Sequence, residues 1–266
     1  MRVRFWGVRG SVPWATAQAI GHGCNTPCVE LIHDSGETLV LDAGSGIVGL
    51  GESMRAPRAV PILLTHYHWD HLQGLPFFSP LYVSGAAPTL FAPVLEACDA
   101  SLVATIFQSP FFPMPYDRLP APPRIEFLDI GEHSIGPFQV RAMRLNHPGG
   151  AFAYRIKGTR GDLVYATDHE MGDAAIDSAL ARFVEGAAVI IFDAHFTPEE
   201  APAHRYWGHS TWADAATFAA NNEVGRLWLF HHKPGRTDVE LMEIEAKART
   251  IFQGTDTAGE GDTVDI

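Results

Sequence analysis

The stretch LLTHYHWDHLQGLP, residues 63–76, decides how this chain is read. A short apolar run ends in three histidines and an aspartate: His66, His68, Asp70 and His71. Such crowding is either a polar turn or half of a metal site. In an extended segment, side chains two apart share a side, so His66 and His68 face together. Asp70 and His71 then enter an expected helix and can face a second ion. The metal reading requires the remaining ligands elsewhere in the chain.

Other apolar runs supply them. AMRLN ends in His147, LVYAT in Asp168, and LWLF in His231 and His232. A single histidine after a strand is ordinarily a solvated loop residue. Here four separate strand-like runs stop at a possible ligand, and strand ends are where α/β scaffolds gather their sites. Imidazoles and carboxylates are the ligands expected for zinc and similar divalent ions. One carboxylate can bridge two ions, and two ions about 3.5–4 Å apart can clamp both oxygens of a displacement.

Composition sets the frame around this site. The chain has 266 residues, 46% of them hydrophobic, which is ample for a sizeable core. We expect one domain over residues 1–266, with no repeat and no linker. The formal net charge of -12 argues against non-specific binding to long nucleic acid. Three cysteines, Cys24, Cys28 and Cys98, form no paired framework and fit a reducing compartment. The N-terminus MRVRFWGVRG lacks a signal-peptide pattern, and no apolar run approaches the ~20 residues of a membrane span. A cytoplasmic protein with no membrane partner is expected.

Strands are expected at 2–7, 28–33, 38–42, 60–65, 125–130, 138–146, 152–157, 162–167, 188–193 and 226–231. Runs such as AVIIF and LWLF suit strands buried on both faces. Helices are expected at 46–55, 71–84, 93–107, 173–185, 210–222 and 238–253, the last capped by Asp238 and the one before it by Ser210 or Thr211. Residues 108–124 hold six prolines and read as an ordered loop. The acidic segment 254–266 reads as a mobile tail or a sheet edge. Strands interspersed with helices predict an α/β fold with covered sheets.

On these motifs the chain resembles the metallo-β-lactamase superfamily. THYHWDH is similar to its H-x-H-x-D-H signature, and LDAGSG at 41–46 to the Asp-x-Gly turn before it. HWDHLQGLPFF and GHSTWADA resemble the phosphodiesterase branch, which includes ribonuclease Z and the carbon–phosphorus-lyase-associated phosphodiesterase. The resemblance runs from RFWGVRGSVP to LFHHKP. It implies the αββα four-layer sandwich, with the site at one edge between two sheets.

The resemblance also implies roles. His66, His68 and His147 would hold one metal, and Asp70, His71 and His231 the other, with Asp168 bridging. His232 is the alternative last ligand. Two divalent ions are implied, zinc first, with manganese or iron also accommodated. A hydroxide held in the dinuclear site would attack phosphorus. His209 would protonate the leaving group, oriented by Asp193, and Asp70 would accept a hydrogen bond from the nucleophile. Ribonuclease Z carries Glu where Asp193 stands, and a purely structural Asp193 is the bland alternative.

The expected reaction is hydrolysis of a small or cyclic phosphodiester, the alternatives being ester, thioester or lactone hydrolysis and a non-catalytic metal-binding sensor. The expected partner is a small-molecule phosphodiester and no long nucleic acid, because the chain lacks the basic arm with which ribonuclease Z grips transfer RNA. A homodimer contact could form at 93–107 and the proline-rich loop. Asn25 sits in a loop that the resemblance places near the site. Arg9 reads as solvated or as a phosphate contact, His169 and Glu170 as facing away from the metals, and His195 as a surface or loop residue. Trp69 and Trp207 could wall the pocket.

Overall fold

Strands in this chain send alternate side chains to opposite faces, and in central strands such as TLVL, LVYA and LWLF both faces are buried. The computed structural model describes residues 1–95 and 100–266. The first half supplies β1 (Arg2–Gly7), β2 (Cys28–Ile32), β3 (Thr38–Leu41), β4 (Ala59–Leu63), β5 (Ala87–Pro93) and β6 (Arg124–Leu128). The second half supplies β7 (Gly131–Ile135), β8 (Phe138–Leu145), β9 (Ala151–Ile156), β10 (Leu163–Ala166), β11 (Val189–Asp193), β12 (Leu227–Phe230) and β13 (Thr255–Thr257). The last strand, β14 (Thr263–Asp265), returns to pair antiparallel with β1.

Two seven-stranded sheets result, in the orders β14-β1-β2-β3-β4-β5-β6 and β13-β12-β11-β10-β9-β8-β7. Each is antiparallel in one half and parallel in the other: β3 to β6 run parallel in the first sheet, β10 to β13 in the second. Parallel neighbours require crossovers. These include α1 (Gly46–Ser53) and α2 (Ala100–Thr105) in the first half, and α3 (Ala174–Val184), α4 (Trp212–Asn221) and α5 (Asp238–Ile251) in the second.

The alternation then builds four layers. From β10, Leu163 and Tyr165 join Phe5, Leu39 and Leu63 between the sheets. Val164 and Ala166 of the same strand face outward onto Leu180 of α3 and Phe218 of α4. On the first sheet, Val40, Ile62 and Leu90 pack outward onto Ile47 and Leu50 of α1. This is an αββα sandwich with three apolar layers. Among the described residues no helix is long and apolar enough to cross a membrane.

Several expectations are corrected. Residues 71–84 form no α-helix but short 3-10 turns at Trp69–His71, Leu75–Phe77 and Ser79–Tyr82, because Pro76 and Pro80 cannot extend a helical hydrogen-bond ladder. The helix expected over 93–107 lies partly outside the described residues; α2 is helical, and Pro93 instead ends β5. The segment 254–266 is not a mobile tail. Thr255–Thr257 and Thr263–Asp265 are edge strands, one on each sheet, so the edge alternative holds. The cap of α5 is Thr237, which forms a reciprocal capping box with Glu240. Asp238 instead accepts the N–H groups of Gly21 and His22.

Arg9 is neither solvated nor open to a phosphate. Its guanidinium is fully buried and donates to the carbonyls of Gly23 (2.8 Å), Arg236 (2.6 Å) and Ala19 (3.1 Å). It thereby holds the 8–25 loop against the turn before α5. Arg9→Ala should strand these carbonyls and lower stability by on the order of 3 kcal/mol, read from the midpoint of urea unfolding at unchanged slope. A midpoint equal to that of the parent would show that water replaces the guanidinium without cost.

Candidate metal centre

The parallel halves of the two sheets point their C-terminal ends to one edge, and the chain leaves each strand there through a polar residue. Asp42 follows β3, Asp168 closely follows β10, and His231 follows β12. All three adopt positive φ, at 62°, 57° and 62°. Left-handed backbone at a non-glycine residue persists only where its surroundings over-determine it. Here buried hydrogen bonds do so.

Asp42 and Asp193 are the two anchors, and both are fully buried. Asp42 accepts from the Thr65 amide (2.8 Å) and hydroxyl (3.0 Å), the Tyr165 hydroxyl (2.9 Å) and His71 Nδ1 (2.8 Å). Asp193 accepts from His209 Nδ1 (2.7 Å) and from the amides of Asp168 (3.0 Å), His195 (3.1 Å) and Ser210 (3.1 Å). A carboxylate accepts only, so both imidazoles carry their proton on Nδ1 and leave Nε2 for the site.

Two groups of side chains converge between these anchors. His66, His68 and His147 bring their ligand atoms within 4.8 Å of one another, and so do Asp70, His71 and His231. His68 Nδ1 lies 2.9 Å from His147 Nε2, and His231 Nε2 lies 3.1 Å from Asp70 Oδ2. Asp168 sits between the groups. Its Oδ1 is 3.8 Å from both His66 Nε2 and His147 Nε2 and 3.4 Å from His231 Nε2; its Oδ2 is 3.2 Å from His71 Nε2. His66 Nε2 and His71 Nε2 are buried without a hydrogen-bond partner. Buried polar atoms are normally paired, so unpaired imidazole nitrogens converging on carboxylates fit a divalent cation.

The electrostatics agree. Burial pushes His66 well below the ordinary histidine range and His147 down to about 4, which keeps them neutral, as ligands must be. Burial alone would raise Asp70, but the charge of His71 and the bond from His231 outweigh it and hold the carboxyl ionised. Burial likewise opposes charge on His209. Asp193, in contact with it, prevails and raises the imidazole to about 9.

His232 turns away and lies 2.9 Å, through Nε2, from the Ala258 carbonyl oxygen, while His231 enters the cluster. His195, expected at the surface, is buried; its ring stacks on His209 at 4.4 Å and its Nδ1 donates to the His231 carbonyl. Only the position after FDA could have signalled it. Asn25 lies beside the site loops, where its side chain donates to Glu260 and accepts from Ser45. Gly10 packs so close that a Cβ there would lie 2.4 Å from His231, and Ser11 N–H donates to Asp70 at 2.7 Å. Trp69 and Trp207 are exposed. A cavity of about 860 Å3 opens beside His147 and His209, its other walls including Pro148, Met171, Arg205 and Tyr206.

This fold and cluster define a metal-dependent hydrolase. The chain belongs to the β-lactamase superfamily: the Beta-lactamase superfamily domain model matches residues 37–232. It is 27% identical over 310 aligned positions to a ribonuclease Z of Bradyrhizobium sp. (strain ORS 278), covering 98% of each chain. Among solved structures it resembles the metallo-beta-lactamase fold protein YhfI of Bacillus subtilis, with a TM-score of 0.72 at 21% identity, covering 99% of this chain and 98% of that one. It also resembles the short form of human tRNase Z, with a TM-score of 0.67 at 22% identity, covering 100% and 99%.

These relatives overturn the expectation of a small-molecule partner and no long nucleic acid, since proteins matched end to end are named for RNA. The physical reason is that net charge averages the whole surface. Engagement of a phosphodiester at one edge depends on the local field there.

His209 is open to a direct check. In metal-free protein its imidazole should titrate at about 9 by proton NMR, and Asp193→Asn should bring it back toward the ordinary histidine value. Because the folded value is raised, the charged pair stabilises fully below the unfolded pKa, and that contribution is lost as pH rises through about 9. An unchanged titration in Asp193→Asn would remove Asp193 as its cause.

Proposed function

We propose that the protein hydrolyses a phosphodiester bond, with RNA as its substrate class, at a site for two divalent ions. His66, His68 and His147 would hold one ion, Asp70, His71 and His231 the other, and Asp168 would lie between them. The nitrogen-rich donor set favours zinc, with manganese and iron also accommodated. When bound, the ions supply a water of lowered pKa and positive charge for the phosphoryl oxygens.

The chain's own residues provide the rest. The observation that carries the reading is the 2.7 Å contact between His209 Nδ1 and Asp193. Asp193 fixes the ring, favours its charged form and directs Nε2–H toward the leaving group. The His209 ring lies 5.4 Å from that of His147 and 4.9 Å from that of His231, so its proton is held against the ligand cluster. Asp70, kept ionised, can accept a hydrogen bond from the attacking water. The cavity beside His209 would seat the departing nucleoside next to its proton donor, with the exposed ring of Tyr206 available for base stacking. The RNA assignment is supported by the names of the full-length relatives.

The test compares leaving groups. Metal-free protein resupplied with zinc or manganese should cleave an aryl phosphodiester and a short RNA, and the metal-free form neither. His209→Ala should slow cleavage of RNA, whose alkoxide needs a proton, by at least ~100-fold, and cleavage of a nitrophenyl diester far less. Equal loss on both substrates would remove the general-acid role. Metal binding with turnover only of thioesters or lactones would overturn the phosphodiester reading.

A further inference from the structure

Glu170 faces away from the ligand cluster, and its carboxylate grips the loop before His209. One carboxylate oxygen accepts the Tyr206 amide at 2.9 Å and the other the Gly208 amide at 2.8 Å. The Gly208 carbonyl in turn lies 2.9 Å from His147 Nδ1. A carbonyl oxygen only accepts, so it sets the Nδ1–H tautomer and turns Nε2 toward His68 and Asp168. Gly208 has φ +86°, and a Cβ there would lie 2.1 Å from His147 Nδ1. The backbone must therefore approach the imidazole directly, and its position must be held by something other than a side chain of its own.

Glu170 also fixes the loop on the other side. Its amide donates to the Asn146 carbonyl at 2.9 Å, and the Asn146 side chain returns a bond to the Glu170 carbonyl at 2.7 Å. Residues 146–147, 168–170 and 206–209 are thus tied at one point, and each of these segments carries a site residue: His147, Asp168 and His209.

We propose that Glu170 is a positioning residue that holds the 206–208 backbone so that the Gly208 carbonyl orients His147 for the ion shared with His66 and His68. This rests on the reading of His147 as a ligand. Glu170 touches no reacting atom in this scheme. It acts through Gly208, and its effect falls on one ion site, because Asp70 is held by the Ser11 amide, His71 by Asp42, and His231 through its carbonyl by His195.

The test measures zinc affinity by competition with a chromophoric chelator in the full chain, alongside kcat and KM for the aryl phosphodiester. Glu170→Ala should weaken one of two zinc-binding steps by roughly 10- to 100-fold and leave the other near the parent value. Glu170→Gln keeps the shape but sets an amide N–H against a backbone N–H, so it should fall between parent and Glu170→Ala. In both, kcat at fixed limiting zinc should fall more than KM rises. Equal weakening of both zinc steps, or parent affinity in Glu170→Gln and Glu170→Ala alike, would overturn the proposal. His147→Ala serves as the reference: it should abolish the same step that Glu170→Ala weakens. If His147→Ala binds two ions as the parent does, the reading of His147 itself fails, and the role of Glu170 falls with it.

Discussion

A carboxylate buried away from water is costly unless every lone pair is engaged, and the site is organised around that constraint. Asp193 satisfies it by drawing four donors to the end of β11: the His209 ring and the amides of Asp168, His195 and Ser210. Those donors come from three segments that are distant in sequence. The need to satisfy one buried group thus brings the residue between the two ligand groups and the candidate general acid to the same place. Asp42 does the same for the other sheet, collecting Thr65, Tyr165 and His71. With one anchor on each sheet, the site's geometry follows the packing of the sandwich.

The two-sheet design explains why such a cluster of unpaired imidazoles is tolerable. Three apolar layers provide the stability, and the polar groups are confined to one edge where strand ends already lack ladder partners. The positive-φ residues Asp42, Asp168 and His231 are strained turns at that edge. Each turn aims a side chain inward that a regular continuation of its strand would send elsewhere.

What the sequence made legible was local. The ligand cluster could be read because each member follows an apolar run, and because His66-x-His68-x-Asp70-His71 is compressed into one segment. The central strands β10, β11 and β12 were legible for a related reason: burial on both faces makes them apolar throughout. The edges were not. β7 (GEHSI), β13 (TDT) and β14 (TVD) are short and polar, as edge strands tend to be, and β5 (APTLFAP) was hidden by its flanking prolines. Apart from the position of His195 after FDA, His195 and Glu170 gave no signal of their roles, which depend on partners tens of residues away: the His231 carbonyl for one, the amides of Tyr206 and Gly208 for the other. The expectation of no long nucleic acid failed because net charge is a property of the whole surface.

On the proposed function, Asp168 lies between two ions held by separate triads. Anomalous diffraction from crystals grown with zinc, collected on either side of the zinc absorption edge, tests it most directly. Two peaks are expected, one bounded by His66, His68 and His147 and the other by Asp70, His71 and His231, with the Asp168 carboxylate between them. A single peak, or a peak bounded by His195, His209 and His231, would contradict it.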